Sequence, residues 1–142
     1  MSRDVTDWEL PADVQALLFN HIESYEQLEI LLLVRREPAA NWTAERIGSR
    51  LAISANLAKE ALTALCASRL VKLRSGSLGL EYEYAAESPA LDESVSGLAS
   101  VYTTHRFEIV KTMSANAIKR MRTGALRAFA DAFILRRDKD NG

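Results

Sequence analysis

Apolar residues recur at three- and four-residue steps along most of this chain, and alternate with polar ones only between residues 71 and 84. The pattern predicts helices at both ends and one hairpin between them. Leu10-Pro11-Ala12 opens a helix to about residue 22, with Val14, Leu17, Leu18 and His21 on one side and Trp8 as a packing anchor before it. Ser24 with Gln27 forms a capping box for a second helix that stops at Pro38. Its run Leu28, Ile30, Leu31, Leu32, Leu33, Val34 is apolar nearly all round, so it must be buried, with the C-terminal helices as candidate partners and Trp42 packing at its end.

Thr43 is placed to cap a third helix over residues 43–51, with Glu45 favourable at its positive end and Ile47, Gly48 and Leu51 facing inward. Ala52-Ile53-Ser54 breaks it, and Ser54 caps a fourth helix to about Leu70, whose Leu57, Ala58, Ala61, Leu62 and Leu65 share one face. Two helices joined by so short a turn cross steeply, and Gly48 supplies the small residue needed where their backbones meet. Val71 to Arg74 and Leu80 to Tyr84 alternate as strands around turn residues 75–79. Downstream, Ser88-Pro89 starts a helix to about Met113, with Leu91, Val95, Leu98, Tyr102, His105, Ile109 and Met113 forming a seam for another helix. Ser114-Ala115-Asn116 is expected to interrupt it. A last helix over residues 117–136 then carries Ile118, Met121, Ala125, Phe129, Ala132 and Phe133 on one face, before a polar, frayed tail.

The order helix, tight turn, helix, hairpin is that of a winged helix. Thr43, Ile47, Gly48, Leu51, Ala52, Ile53 and Ser54, followed by Ala58, Ala61, Leu62, Leu65 and Leu70-Val71, resemble the MarR-like winged helix-turn-helix regulators over about a third of the chain. The resemblance implies a mainly α fold with a small β-hairpin wing, flanking helices that build a homodimer, and a recognition helix over residues 55–70 that binds duplex DNA. Two positions depart from the family pattern. Ala52 stands where the family usually has Gly, and the wing tip over 75–79 has none of the basic residues such regulators often insert into a minor groove. One domain over residues 1–142 is expected, with the winged core at 41–85, N-terminal helices at 11–37 and C-terminal helices at 89–137 as the candidate dimerisation region.

At 142 residues and 48% hydrophobic content, the chain suits a domain with a real core, folding without metal or disulfide. Cys66 is the single cysteine and reads as a structural thiol. No apolar run follows a basic start and none reaches the length of a membrane span, so a cytoplasmic protein without membrane contact is expected. The formal net charge of −1 is small for a nucleic-acid binder, but it is unevenly spread. Residues 1–40 hold three basic and eight acidic side chains, whereas 41–85 hold six and four.

Catalysis finds no footing in the sequence. His21 and His105 lie on apolar helical faces, and no nucleophile elbow, phosphate loop or zinc pattern occurs, so neither catalytic residues, metal nor cofactor is expected. Two functions remain. In the first, Ser54, Ala55, Asn56, Lys59 and Thr63 present the recognition helix to the major groove, while Thr43, Arg46, Arg50, Lys72 and Arg74 support contacts to the backbone. With few base-facing donors per helix, two half-sites and hence a homodimer are needed for useful specificity. In the second, the near-neutral charge, bare wing tip and acidic second strand serve a protein-interaction module that does not bind DNA. A small ligand lined by Tyr25, Trp42, Tyr102, Phe107 and Phe129 could be added to the first reading, although these aromatics fit core packing.

Overall fold

A computed structural model describes the backbone of residues 8–141 and the side chains of residues 8–134. Eight elements follow in order: α1 (Ala12–Asn20), α2 (Tyr25–Arg36), α3 (Ala44–Leu51), α4 (Ala55–Ala67), β1 (Val71–Gly76), β2 (Gly79–Tyr84), α5 (Pro89–Tyr102) and α6 (Arg106–Asn141). The fold is a winged helix-turn-helix with flanking helices, mainly α with one antiparallel hairpin, as the sequence pattern predicts.

The helix starts follow from hydroxyl caps. Ser24, Thr43, Ser54 and Ser88 each accept a hydrogen bond from the backbone N–H three residues on, at 3.1 Å in every case. Gln27 completes its box by accepting the Glu23 N–H at 2.9 Å. From Leu28 to Val34, α2 buries every residue but the half-buried Glu29, as its all-round apolar sequence requires. Its main partners, however, are α4 and β2. The C-terminal helices, expected to cover α2, lie mainly against α1. They meet α2 through polar groups: the Tyr102 hydroxyl donates to Glu29 and is 3.0 Å from the Tyr25 hydroxyl, and Arg106 sits over both rings.

Several boundaries differ from the sequence reading, among them the end of the expected recognition helix 55–70, which stops at Ala67 because Ser68 closes it and Arg69 turns left-handed, φ 63°, into β1. The expected break at Ser114-Ala115-Asn116 does not exist, because α6 runs through it without interruption. The chain instead turns at Thr103-Thr104-His105. Thr104 reaches back to the Val101 carbonyl at 3.4 Å, a local bond that competes with helix continuation, while none of Ser, Ala or Asn is a strong enough breaker to stop a helix packed on α1. The seam is therefore split between two helices, and it is satisfied within the chain: Val95 and Leu98 of α5 and Ile109 and Met113 of α6 are buried. Arg120 ties α6 to the end of α1 by donating to the Leu18 and Phe19 carbonyls at 3.2 and 2.6 Å. Another difference is in the hairpin, whose strands extend to Gly76 and Gly79 and leave only Ser77 and Leu78 as the turn.

Beyond Arg120 the character of α6 changes. Met121, Leu126, Phe129, Phe133 and Ile134 are all more than half exposed, as is Ile118 before them. Helix α6 continues past the expected end at residue 136 to Asn141, and the side chains of the expected frayed tail lie outside the described residues.

Candidate nucleic-acid interface

The site is built on the turn between α3 and α4. Ala52 adopts a left-handed conformation, φ 59° and ψ 44°, and both Ala52 and Ile53 donate their N–H groups to the Gly48 carbonyl. A Cβ on Gly48 would lie 2.8 Å from the Ile53 carbonyl oxygen, which is backbone and cannot swing aside. Glycine at 48 thus permits the close crossing, and alanine at 52 accepts the strain usually given to glycine.

Packing decides which side of α4 is offered to solvent. Ala58, Ala61, Leu62 and Leu65 are buried, whereas Asn56, Lys59, Glu60 and Thr63 line an open depression of about 650 Å³. Leu57, expected to face inward, is 37% exposed and borders the polar face. Thr63 donates its hydroxyl to the Lys59 carbonyl at 2.8 Å, which leaves its oxygen able to accept. Ser54 is exposed but its hydroxyl is occupied in capping α4, and Ala55 is half-buried. Thr43 is withdrawn from the surface: it is 7% exposed and its hydroxyl accepts the Arg46 N–H, so its role is to start α3.

The cations divide into two groups. Arg50 donates to both carboxylate oxygens of Glu37, at 3.0 and 2.5 Å, and this pairing holds the Glu37 carboxyl below its ordinary pKa and the Arg50 guanidinium above. Arg74 lies 3.2 Å from Glu81 and 3.7 Å from Glu83, and Arg69 bonds Glu87 at 3.0 Å. Arg46, Lys59 and Lys72 are exposed and carry no ion pair among the described residues. Of the positive charges singled out by sequence, Arg50 and Arg74 are thus partly neutralised internally. The partner of Arg50 is 13 residues away in another element, beyond any local pattern, whereas Arg74 and Glu81 face each other across the hairpin register.

Sequence reasoning also missed how the wing is anchored. Trp42 forms an antiparallel bridge with Tyr82, the Tyr82 N–H donating to the Trp42 carbonyl at 2.7 Å, and the indole N–H donates to the Glu37 carbonyl at 2.8 Å. The start of α3, the wing and the end of α2 are joined through one aromatic residue. Alternation of Trp42 with the β-branched Thr43 was the available sign, but it is too short to count as a strand.

Cys66, on α4, is partly buried, and burial raises its thiol pKa, which disfavours the reactive thiolate. His105 stacks on Trp8 with ring centroids 3.6 Å apart, and His21 closes α1 with its Nδ1 buried. Among the described residues no group of three or more His, Cys, Asp or Glu side chains could hold a metal ion, and no helix is long and apolar enough to cross a membrane.

Fold and exposed face together define a winged helix-turn-helix domain whose second helix turns a polar surface outward. No family model and no curated protein matches the chain. Among solved structures, a mutant of Lactococcus lactis ZitR is similar at 18% identity and a TM-score of 0.45, covering 94% of this chain and 82% of that one.

Proposed function

We propose that this chain is a winged-helix transcriptional regulator that binds duplex DNA as a homodimer, with α4 in the major groove. The observation that carries the reading is the exposed face of α4. Asn56, Lys59 and Thr63 share one open depression, and Arg46 on α3 and Lys72 on β1 are exposed without carboxylate partners among the described residues. Asn presents the paired donor and acceptor that match adenine in the major groove, and Lys suits guanine or a phosphate. Ser54 and Ala55, at the start of α4, bring the helix N-terminus and its backbone N–H groups toward a phosphate. Arg50 and Arg74 contribute to backbone contacts only as far as their internal carboxylate partners release them.

The apolar face of α6 supports the homodimer. Burying Phe129, Phe133 and Met121 against a second copy would each contribute about 1.5–3 kcal/mol. Two copies also supply the two half-sites that three base-facing side chains need for specificity.

A protein-interaction module without DNA binding is the second reading. It is favoured by the pairing of Arg50, Arg69 and Arg74 with carboxylates, which removes positive charge from the surface. Binding of the purified protein to random duplexes and to its own upstream region, with molar mass followed by light scattering, separates the two. The regulator reading expects a dimer that prefers some sequences and releases them as salt rises. Absence of binding near ~50 mM salt, where charges are least screened, would transfer the same helix face to a protein partner.

A further inference from the structure

The wing differs in chemistry from the rest of this surface. From Ser75 to Leu80 it has no charged side chain, and leucines stand out: Leu73, Leu78 and Leu80 are 47%, 52% and 60% exposed. The register pairs Leu73 with Tyr82 and Ser75 with Leu80, so both leucines lie on the face that, nearer the body, buries Val71 and Tyr82. The opposite face is closed by a buried acid. The Glu81 side chain is 1% exposed, and its carboxylate accepts the Leu78 N–H at 3.0 Å and the Arg74 guanidinium at 3.2 Å. It fills the space beneath Gly76, where a Cβ would come 2.1 Å from the carboxyl carbon. The turn is thereby pinned from below, and Leu78 is carried on a fixed projection.

Size limits what such a tip can engage. Three partly exposed leucines on a two-stranded ribbon fall well short of the ~800 Å² per partner that a standard protein interface buries. A DNA groove asks for less, because one or two apolar side chains on a rigid backbone suffice to part a base step, as minor-groove wedges do. The wing's charges fit the same use. Arg74 is held by Glu81 and Glu83, while Lys72, exposed at the root of the wing, is available to a phosphate beside the tip.

We propose that the wing is an apolar wedge: with α4 in the major groove, Leu78, backed by Leu80, enters the adjacent minor groove and partly unstacks one base step. This rests on the reading of α4 as a duplex reader and adds a second mode of recognition to it. The helix reads base edges, and the wing reads how easily a step deforms, favouring pyrimidine–purine steps at a fixed distance from each half-site.

Selection from a randomised duplex pool with wild type, Leu78→Ala and Lys59→Glu tests the proposal, followed by energy transfer between the labelled ends of the selected duplex. Leu78 is exposed, so its variant should unfold at the wild-type temperature. Wild type is expected to enrich a pyrimidine–purine step flanking the half-site and to shorten the end-to-end distance. Leu78→Ala should keep the half-site, lose the step and the shortening, and bind roughly fivefold more weakly. Lys59→Glu should lose the half-site itself. If Leu78→Ala selects the same step and bends DNA equally, the wedge is overturned while the reading of α4 stands. If folded wild type enriches no duplex, both fall.

Discussion

Helix α4 leaves one polar face uncovered, whereas α6 is exposed on every side from Met121 to Ile134 and shows large apolar side chains there. On α4 the buried side is Ala58, Ala61, Leu62 and Leu65 and the open side is Asn56, Lys59, Glu60 and Thr63. On α6 beyond Arg120 every side is open, and Met121, Leu126, Phe129, Phe133 and Ile134 are the large apolar side chains it exposes. A polar face tolerates water between encounters, so it suits a partner that comes and goes. An apolar face of several large side chains is costly to leave wet and suits a lasting association. On the proposed reading, recognition falls to the centre of the chain and assembly to its end.

The contrast can be broken from either side. Leu62→Ala, which empties part of the core under α4, should cost about 3 kcal/mol in denaturant unfolding, because Leu62 is fully buried. Phe129→Asp should leave that stability unchanged in the monomer, while weakening self-association roughly thirtyfold, or about 2 kcal/mol, in sedimentation equilibrium. Unchanged self-association would remove α6 as the assembly surface. Lys59→Glu should lower duplex affinity about tenfold without altering molar mass, whereas Arg50→Gln should lower it less, since Glu37 already holds Arg50. Equal losses in the two variants would show that the internal pair opens on binding. Ala52→Gly should stabilise the turn by about 0.5–1 kcal/mol, read as a raised melting temperature, by relieving a left-handed alanine.

The smallest effect concerns acid. Arg50 depresses the Glu37 pKa in the folded chain, so the unfolded chain binds the proton more readily. The pair's contribution is present above the ordinary carboxylate value of 4.5 and is lost as pH falls through the lower folded value. Glu37→Gln should therefore flatten the stability profile below pH ~4.5 and lower stability slightly near neutrality, where the exposed pair's small contribution is lost.

Legibility followed the range of the interactions. The α3 to α4 turn could be read in advance because Thr43 and Ser54 cap within three residues and Gly48 answers to contacts only a few residues away. The inward side of α4 followed from spacing alone, except at Leu57. The α5 to α6 turn could not be read, because Thr103-Thr104-His105 contains no Gly or Pro and the seam's spacing passes smoothly through it. The same holds for the site's electrostatics. Which cations remain available depends on Glu37, Glu81 and Glu87 being brought in from other elements, and Glu81, which alternation alone places on a solvent face, is buried under Gly76.

The most direct test of the central claim is the salt dependence of duplex binding by wild type and Lys59→Glu, measured on one selected duplex. Affinity should fall steeply with salt for wild type, with the logarithmic slope reduced by about one for each Lys59 replaced in the bound protein. Binding with an identical slope in both proteins, or none near ~50 mM salt, would contradict the assignment of α4 as the DNA-reading helix.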